Sequence, residues 1–478
     1  MIAKKFELYL YFCIFIFFFL LGIILFYSFG YKYNINENKT IQTGAIILKT
    51  SPEEVTIYKN DKLYKNEKTI ANLFSDFIKI ENLESKEYNI KVKKEGYFDW
   101  KKNVNVKSGA ITELKNIILL KKNYKENILI NEVSINNKLS DFWINDNKNK
   151  IIYKSVNNNK SNLFIFDVYE KNEKIIADLN NAPFNKLHKE YIFEDVIFSN
   201  NNSKILLKIK SLDNFFWYLI DLDNKNKIYN LTSTFGKNET IINKMNLSIN
   251  ESIFYINNNI LYELNYKNLS SKKILENLSS FLIYDNYIYY IKSNDNSFYY
   301  SRMNDLSETK KILSLPENFD YTAPAKIVRS SQNTFIILSS VGKLYFVYND
   351  RDVNLINSFV QNAFFSNGDQ RIYYYNNHEI WVYYIEEKKS QPRKEKFTNE
   401  LVTRFSGNIS NLFIYKDDEH IFYQENSNFM FAELDNRDKK NIFEIMKIDN
   451  KDIFYLRDIN SIFYIKDNKI IQINLDEK

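Results

Sequence analysis

Between Glu7 and Lys32 the chain carries no charged residue, and most positions there are Phe, Leu, Ile or Tyr. As a helix, residues 8–31 would extend about 36 Å at about 1.5 Å per residue, enough to cross a bilayer. After Lys32 the pattern changes. Short apolar runs, often alternating with polar positions, are separated by clusters of Asn, Asp, Ser and Lys. That is how half-buried strands joined by tight turns are written. The pattern predicts one N-terminal transmembrane helix and an all-β exterior.

Signal-peptide apolar regions run about 7–15 residues, so this longer one reads as a retained anchor. A small-x-small site does occur at Ser28-Phe29-Gly30. Lys4 and Lys5 precede the span, which favours a cytoplasmic N-terminus (residues 1–7) and a single pass through the cytoplasmic (inner) membrane, with the rest outside. With seven residues before it, the span reads as a tether and not a signalling device. Cys13, the one cysteine, lies inside the span behind Leu10-Tyr11-Phe12, without the small residues of a lipid-acceptor site. The exterior therefore has no disulfides and depends on packing.

Past a polar stalk at residues 32–42, residues 43–122 read as a small β-sandwich. Gly44 opens a strand, Pro52-Glu53 a turn, and Val55 and Ile57 face one side of the next strand. Further strands are expected at Tyr88–Lys93, Val104–Val106 and Ile117–Leu120, with Gly96 free to take positive φ. The order of Gly44, Pro52-Glu53, Lys94-Glu-Gly-Tyr97 and Lys107-Ser-Gly109 resembles the PEGA domain, over about a sixth of the chain. It departs at the signature, where Glu54 and Val55 replace Gly and Ala. The resemblance implies an extracytoplasmic spacer and brings no catalytic residues.

Residues 125–478 recur. One unit reads Asp141–Tyr153, Asn162–Asp167 and Lys174-Ile-Ile; the next Asp195–Leu207, Phe216–Asp221 and Lys227-Ile; a third begins at Asn246. Further copies begin near Leu278, Lys326, Asn362, Ile409 and Asp449. A four-stranded unit at this spacing predicts a β-propeller of eight blades, with seven as the alternative. The last unit has three strands of its own, so residues 128–135 are expected to supply the fourth and seal the ring. The segments Phe198-Ser-Asn-Asn-Asn-Ser-Lys204 and Phe365-Ser-Asn-Gly-Asp-Gln-Arg371 resemble TolB-like and WD-repeat-like propellers. That resemblance implies fold and not ligand.

Composition adds three points. With 36 Tyr and 38 Phe but 9 Gly and 5 Pro, turns must be made largely by Asn and Asp. The net charge of +6 is small and dispersed, and basic runs such as Lys91–Lys94 lack interleaved aromatics, so no nucleic-acid partner is expected. Sequons at Asn38, Asn230 and Asn246 carry no weight in a bacterial chain, which the propeller resemblance implies.

Candidate chemistry is sparse. His188, His378 and His420 are isolated, without metal-ligand spacing, and read as structural or solvated. No Gly-x-Ser-x-Gly elbow occurs, and no stretch after the repeats could hold a hydrolase domain. Asp221–Asn226 and Glu433–Asp438 read as hairpin and surface ion-pair turns, not a calcium loop or a site. The pairs Tyr289-Tyr290 and Tyr299-Tyr300 and the run Tyr373–Tyr375 could form a carbohydrate platform. On strands, however, alternate members must enter the packing between blades. No catalytic, cofactor or metal residue is assigned. The expectation is a membrane-anchored, non-enzymatic protein whose propeller binds a protein or cell-envelope polymer. The alternative is a lyase or glycan-active enzyme with its site in the propeller channel.

Overall fold

The computed structural model describes residues 2–34, 38–64, 77–130, 135–136, 139–140, 142–145, 149–157, 160–187, 191–224, 226–235, 252–321, 323–349, 352–448 and 453–476. A helix spans Ile2–Ser28, and within it Leu10–Ser28 is apolar and long enough to cross a membrane, with none of that window buried. The helix stops earlier than the charge gap suggested. Gly30 takes φ +79° and donates its N–H to Tyr27 O at 3.0 Å, a turn that an L side chain resists. Tyr31–Asn34 then pairs with Lys39–Gln42, so a hairpin stands in the expected stalk. Thr43 ties this hairpin to the helix end, its N–H and Oγ1 both donating to Gly30 O at 2.7 and 2.8 Å.

Two sheets follow and share one core. The first is ordered Lys62–Tyr64, Thr56–Lys59, Glu87–Lys93 and Trp100–Asn105; the second is Ile78–Leu83, Gly44–Ser51 and Ile111–Ile118. Alternation builds the core: Tyr88, Ile90 and Val92 are buried, while Asn89, Lys91 and Lys93 point away. Val55 and Ile57 both pack against this core, as their spacing predicted. Gly44–Ser51 and Ile111–Ile118 run parallel, a pairing the strand pattern did not indicate. A Cβ on Gly44 would lie 2.4 Å from Lys107 O, which explains its glycine.

Residues 127–476 form a β-propeller. Among the described residues, eight antiparallel sheets of three or four strands succeed one another, apart from a two-stranded pair of Ile135-Asn136 with Leu139-Ser140. The first four begin at Phe142, Tyr191, Ser252 and Leu278, and the last four at Lys326, Asn362, Ile409 and Ile453. All have four strands except the third, which shows Ser252–Asn257, Ile260–Asn265 and Ser270–Glu276; the strand expected at Asn246 lies outside the described residues. In the eighth, the outer strand is Asn127–Ile130, which pairs with Lys469–Asn474 although it precedes the first sheet in sequence.

Each neighbouring pair of sheets shares a hydrophobic cluster. The last joins the first, where Phe142 stacks on Phe454 at 5.4 Å and Ile130, Ile151 and Ile465 pack around them. Most of the tight turns do without glycine. Asn60-Asp61, Asn258-Asn259 and Asp467-Asn468 take positive φ at both positions, as type I′ hairpins require.

The recurring Phe-Ser segment has a physical reason. Ser199 Oγ accepts from Lys204 N–H at 2.9 Å, and Ser366 Oγ from Arg371 N–H at 3.1 Å, closing the turn between the first two strands. The basic residue then sits buried at the start of the second strand, directly opposite the end of the third. In this register Lys204 faces Asp221, with Nζ 3.4 Å from its carboxylate, and Lys150 faces Asp167 at 3.9 Å.

Candidate functional site

Because strands alternate in direction, each sheet has two kinds of end. The turns joining first to second and third to fourth strands lie at one end; those joining second to third strands, and one sheet to the next, lie at the other. The first kind of end of the sixth and seventh sheets is covered by the small two-sheet domain.

That junction is built on charge. The seventh sheet has an acid, Glu433, where the first two have Asp167 and Asp221, but has His420 opposite it where those two carry Lys150 and Lys204. The cation comes instead from the small domain. Lys102, fully buried, places Nζ 2.6 Å from Glu433 Oε1 and donates to Asp435 O at 2.7 Å. Trp100 Nε1 donates to Glu433 Oε2 at 2.9 Å, and Asn441 donates to Oε1 through its N–H and Nδ2, both at 2.8 Å. Glu433 thus has every oxygen satisfied. Burial pushes the Asp435 carboxyl upward, yet Arg437 and Lys102 hold it below its ordinary value.

Two carboxamides complete the junction. Strands Trp100–Asn105 and Ile111–Ile118 are sheet edges with unpaired backbone on one side. Asn441 gives Nδ2 to Lys101 O at 3.1 Å and accepts from Lys101 N–H at 3.3 Å. Gln391 does the same for the other edge, with Ile111 O at 2.9 Å and Glu113 N–H at 3.0 Å. Phe98 stacks on Phe443 at 5.1 Å beside them. The void left at the contact is only ≈ 10 Å³, room for about one water.

Deeper in, Glu419 accepts from Arg371 at 2.7 Å and Lys388 at 2.5 Å. His420 is buried, stacked 4.9 Å from Phe431, with Nδ1 2.7 Å from Asp417. Burial alone would lower the imidazole pKa, but Asp417, with Glu433 and Glu419 nearby, raises it above its ordinary value.

The opposite ends of the same two sheets look different. Gln361, Tyr375, Asn377, Asn408, Ile409, Ser410, Asn411, Gln424, Asn426 and Ser427 surround an open cleft of ≈ 680 Å³. None of these residues is charged. Gln424 is buried and organises the floor, giving Nε2 to Ile448 O at 3.1 Å and accepting from Asn411 Nδ2 at 3.0 Å and Ser410 Oγ at 3.2 Å. Asn426 accepts from Asn408 N–H at 3.0 Å, and Gln361 donates to Asn377. A smaller cleft of ≈ 230 Å³, at the first kind of end between the fourth and fifth sheets, is lined by Tyr287, Tyr289, Tyr300 and Arg329. Arg329 lies 4.3 Å over Tyr284 and donates to Asn333 Oδ1 at 3.0 Å.

The residues singled out from the sequence divide accordingly. His188 lies outside the described residues. His378 is exposed at the rim near the large cleft, its Nδ1 3.1 Å from Gly407 O, and His420 is structural. No cluster of three or more His, Cys, Asp or Glu suited to a metal occurs among the described residues. Asp221 pairs with Lys227 at the head of the hairpin expected over Asp221–Asn226, and its carboxylate also lies 3.4 Å from Lys204; Lys225 is outside the described residues. The Glu433–Asp438 turn is corrected in part: its expected ion pair is present between Asp435 and Arg437, but Glu433, expected at the surface, is buried under the small domain at the centre of the junction. Strand alternation sends Tyr289 and Tyr290, and Tyr373 and Tyr374, to opposite faces, but both faces lie between sheets, so all four are buried and not half of each pair. The half-buried Tyr300 and Tyr375 reach the two clefts.

Trp100, Lys102, Gln391 and Asn441 were missed. Only Lys102 carried a signal, a cation at period two between Trp100 and Val104 on an inward face.

No protein-family model and no curated protein matches the chain. Among solved structures, the C-terminal WD40 domain of Sif2 is similar at 12% identity and TM-score 0.48, over 73% of this chain and 99% of that one. The Myceliophthora thermophila Cps50 (Swd1) β-propeller domain is similar at 10% identity and TM-score 0.39, over 73% and 99%. An oligogalacturonate lyase in complex with manganese is similar at 10% identity and TM-score 0.37, over 71% and 99%.

Proposed function

We propose that this is a single-pass protein of the cytoplasmic membrane, N-terminus inside, whose exterior is a PEGA-like spacer (43–122) carrying an eight-bladed, TolB-like propeller (125–478). The propeller is a non-catalytic receptor for a protein or cell-envelope polymer. The observation that carries this reading is the junction. Spacer and propeller meet through a buried, fully paired carboxylate, with Lys102 and Trp100 on one side and Glu433 on the other, and not through a free linker. A mount of this kind holds the propeller at a fixed attitude to the spacer and leaves the other ends of its sheets unobstructed. The cleft there lacks the paired carboxylates or imidazole that acid–base chemistry requires.

The test uses the full chain in lipid nanodiscs as bait in an envelope extract. Retention of a defined protein or polymer supports a receptor. Turnover of a screened glycan substrate with nothing retained overturns it in favour of a channel enzyme.

A further inference from the structure

We propose that the cleft between the sixth and seventh sheets binds an uncharged oligosaccharide. The inference rests on the receptor reading above and names the ligand class of that face.

The volume of ≈ 680 Å³ falls in the range of about 300–1,000 Å³ typical of small-ligand sites. The lining chemistry narrows the choice. Five carboxamides (Gln361, Asn377, Asn408, Asn411 and Asn426) around the buried Gln424 bring amide donors and acceptors to the cleft. Ser410 and Ser427 add hydroxyls, and Tyr375 adds a ring. Vicinal sugar hydroxyls, each donor and acceptor at once, need this mixture.

Charge argues in the same direction. About a quarter of the chain is Asp, Glu, Lys or Arg, yet none of the ten lining residues is. A uronate, phosphate or sulfate polymer would find no cation to pair with its anion. A peptide partner would want an apolar anchor pocket, and of the two large apolar residues lining the cleft Ile409 is buried in the core and only the Tyr375 ring is half-exposed. The site is also prepared in advance. Gln424, buried beneath, fixes Asn411 and Ser410 through the bonds described above, so these groups need little reordering when ligand arrives. Gln424 is a positioning residue in this scheme; Asn377 and Asn408, exposed at the lip, are contacts.

The full chain in nanodiscs would be titrated calorimetrically with cellotetraose, xylotetraose, maltotetraose and chitotetraose as neutral probes, and with tetragalacturonate as the acidic control. At least one neutral probe is expected to bind, and Asn377→Ala and Asn408→Ala are each expected to raise its Kd about tenfold or more. Both variants lie at exposed positions, and an unchanged thermal midpoint confirms that they fold. Preference for tetragalacturonate, or a neutral probe whose Kd neither variant moves, overturns the proposal. So does failure of all four neutral probes. If the probes fail while the envelope bait still retains a protein, the receptor reading stands and the glycan assignment falls. If both fail, the receptor reading falls with it.

Discussion

The sixth and seventh sheets end in two opposite ways. At one end Glu433, Glu419, Lys102, Arg371 and Lys388 are packed with almost no free volume. At the other, neutral amides and hydroxyls line an open space of ≈ 680 Å³. The difference shows where a fold can use charge. A buried ion pair fixes one geometry, because separating it strands a charge in a poor solvent. A neutral amide surface exchanges water for ligand hydroxyls at little cost, so it suits a contact that must form and dissolve. The same strands serve as a permanent joint and as a reversible face.

The sharpest way to break this contrast is at the joint. Glu433→Ala should cost about 3–5 kcal/mol, since it takes from the buried Lys102 ammonium its closest carboxylate and from the Trp100 N–H its acceptor. Urea unfolding would read this, and adding Lys102→Met should recover much of it. A loss below about 1 kcal/mol would mean the pair is not buried as described.

Ring closure comes next. Ile130→Ala empties space in the cluster that joins last sheet to first, and should cost about 2–3 kcal/mol in the same assay. A neutral result would argue against the closing strand.

A smaller effect separates the two ends by pH. The His420 pKa is raised above its ordinary 6.5, so the native state holds this proton more tightly than the unfolded chain does. Its contribution is fully present below about pH 6.5 and is lost as pH rises through the raised value. The thermal midpoint of the natural chain should therefore fall over that window more steeply than that of His420→Gln. Parallel curves would remove the His420–Asp417 pair from the account. The smallest effect belongs to the cleft: Asn377→Ala and Asn408→Ala should shift stability by no more than about 0.5 kcal/mol. A larger change would give these residues a structural role like that of the joint.

Much of the ring was legible because period-two alternation and Asn-rich turns are local facts. The strand starts at Leu278, Lys326, Asn362 and Ile409 follow directly from them, and so do the opposite faces of Tyr373 and Tyr374, each packed against a different neighbouring sheet. The joint was half legible. The Lys204–Asp221 and Lys150–Asp167 register, carried to the seventh unit, puts His420 opposite Glu433 and so implies a cation from elsewhere. What chain spacing cannot supply is that Lys102, in another domain, is that cation. The cleft was not legible at all: its residues come from four stretches of sequence, and Asn is so common in this chain that no one of them stands out.

The joint also has a schedule. Trp100 and Glu433 are 333 positions apart, and Glu126 is 338 from its partner Tyr464. At about 5–20 residues per second, roughly 15–70 s pass between synthesis of one partner and the other. Throughout that interval strands Trp100–Asn105 and Ile111–Ile118 show unpaired edges, while Asn127–Ile130 waits for the strand it will join. The nascent chain is thus most open to mispairing with its own kind before residues 391–474 arrive, and a pause late in synthesis prolongs that exposure more than one early on.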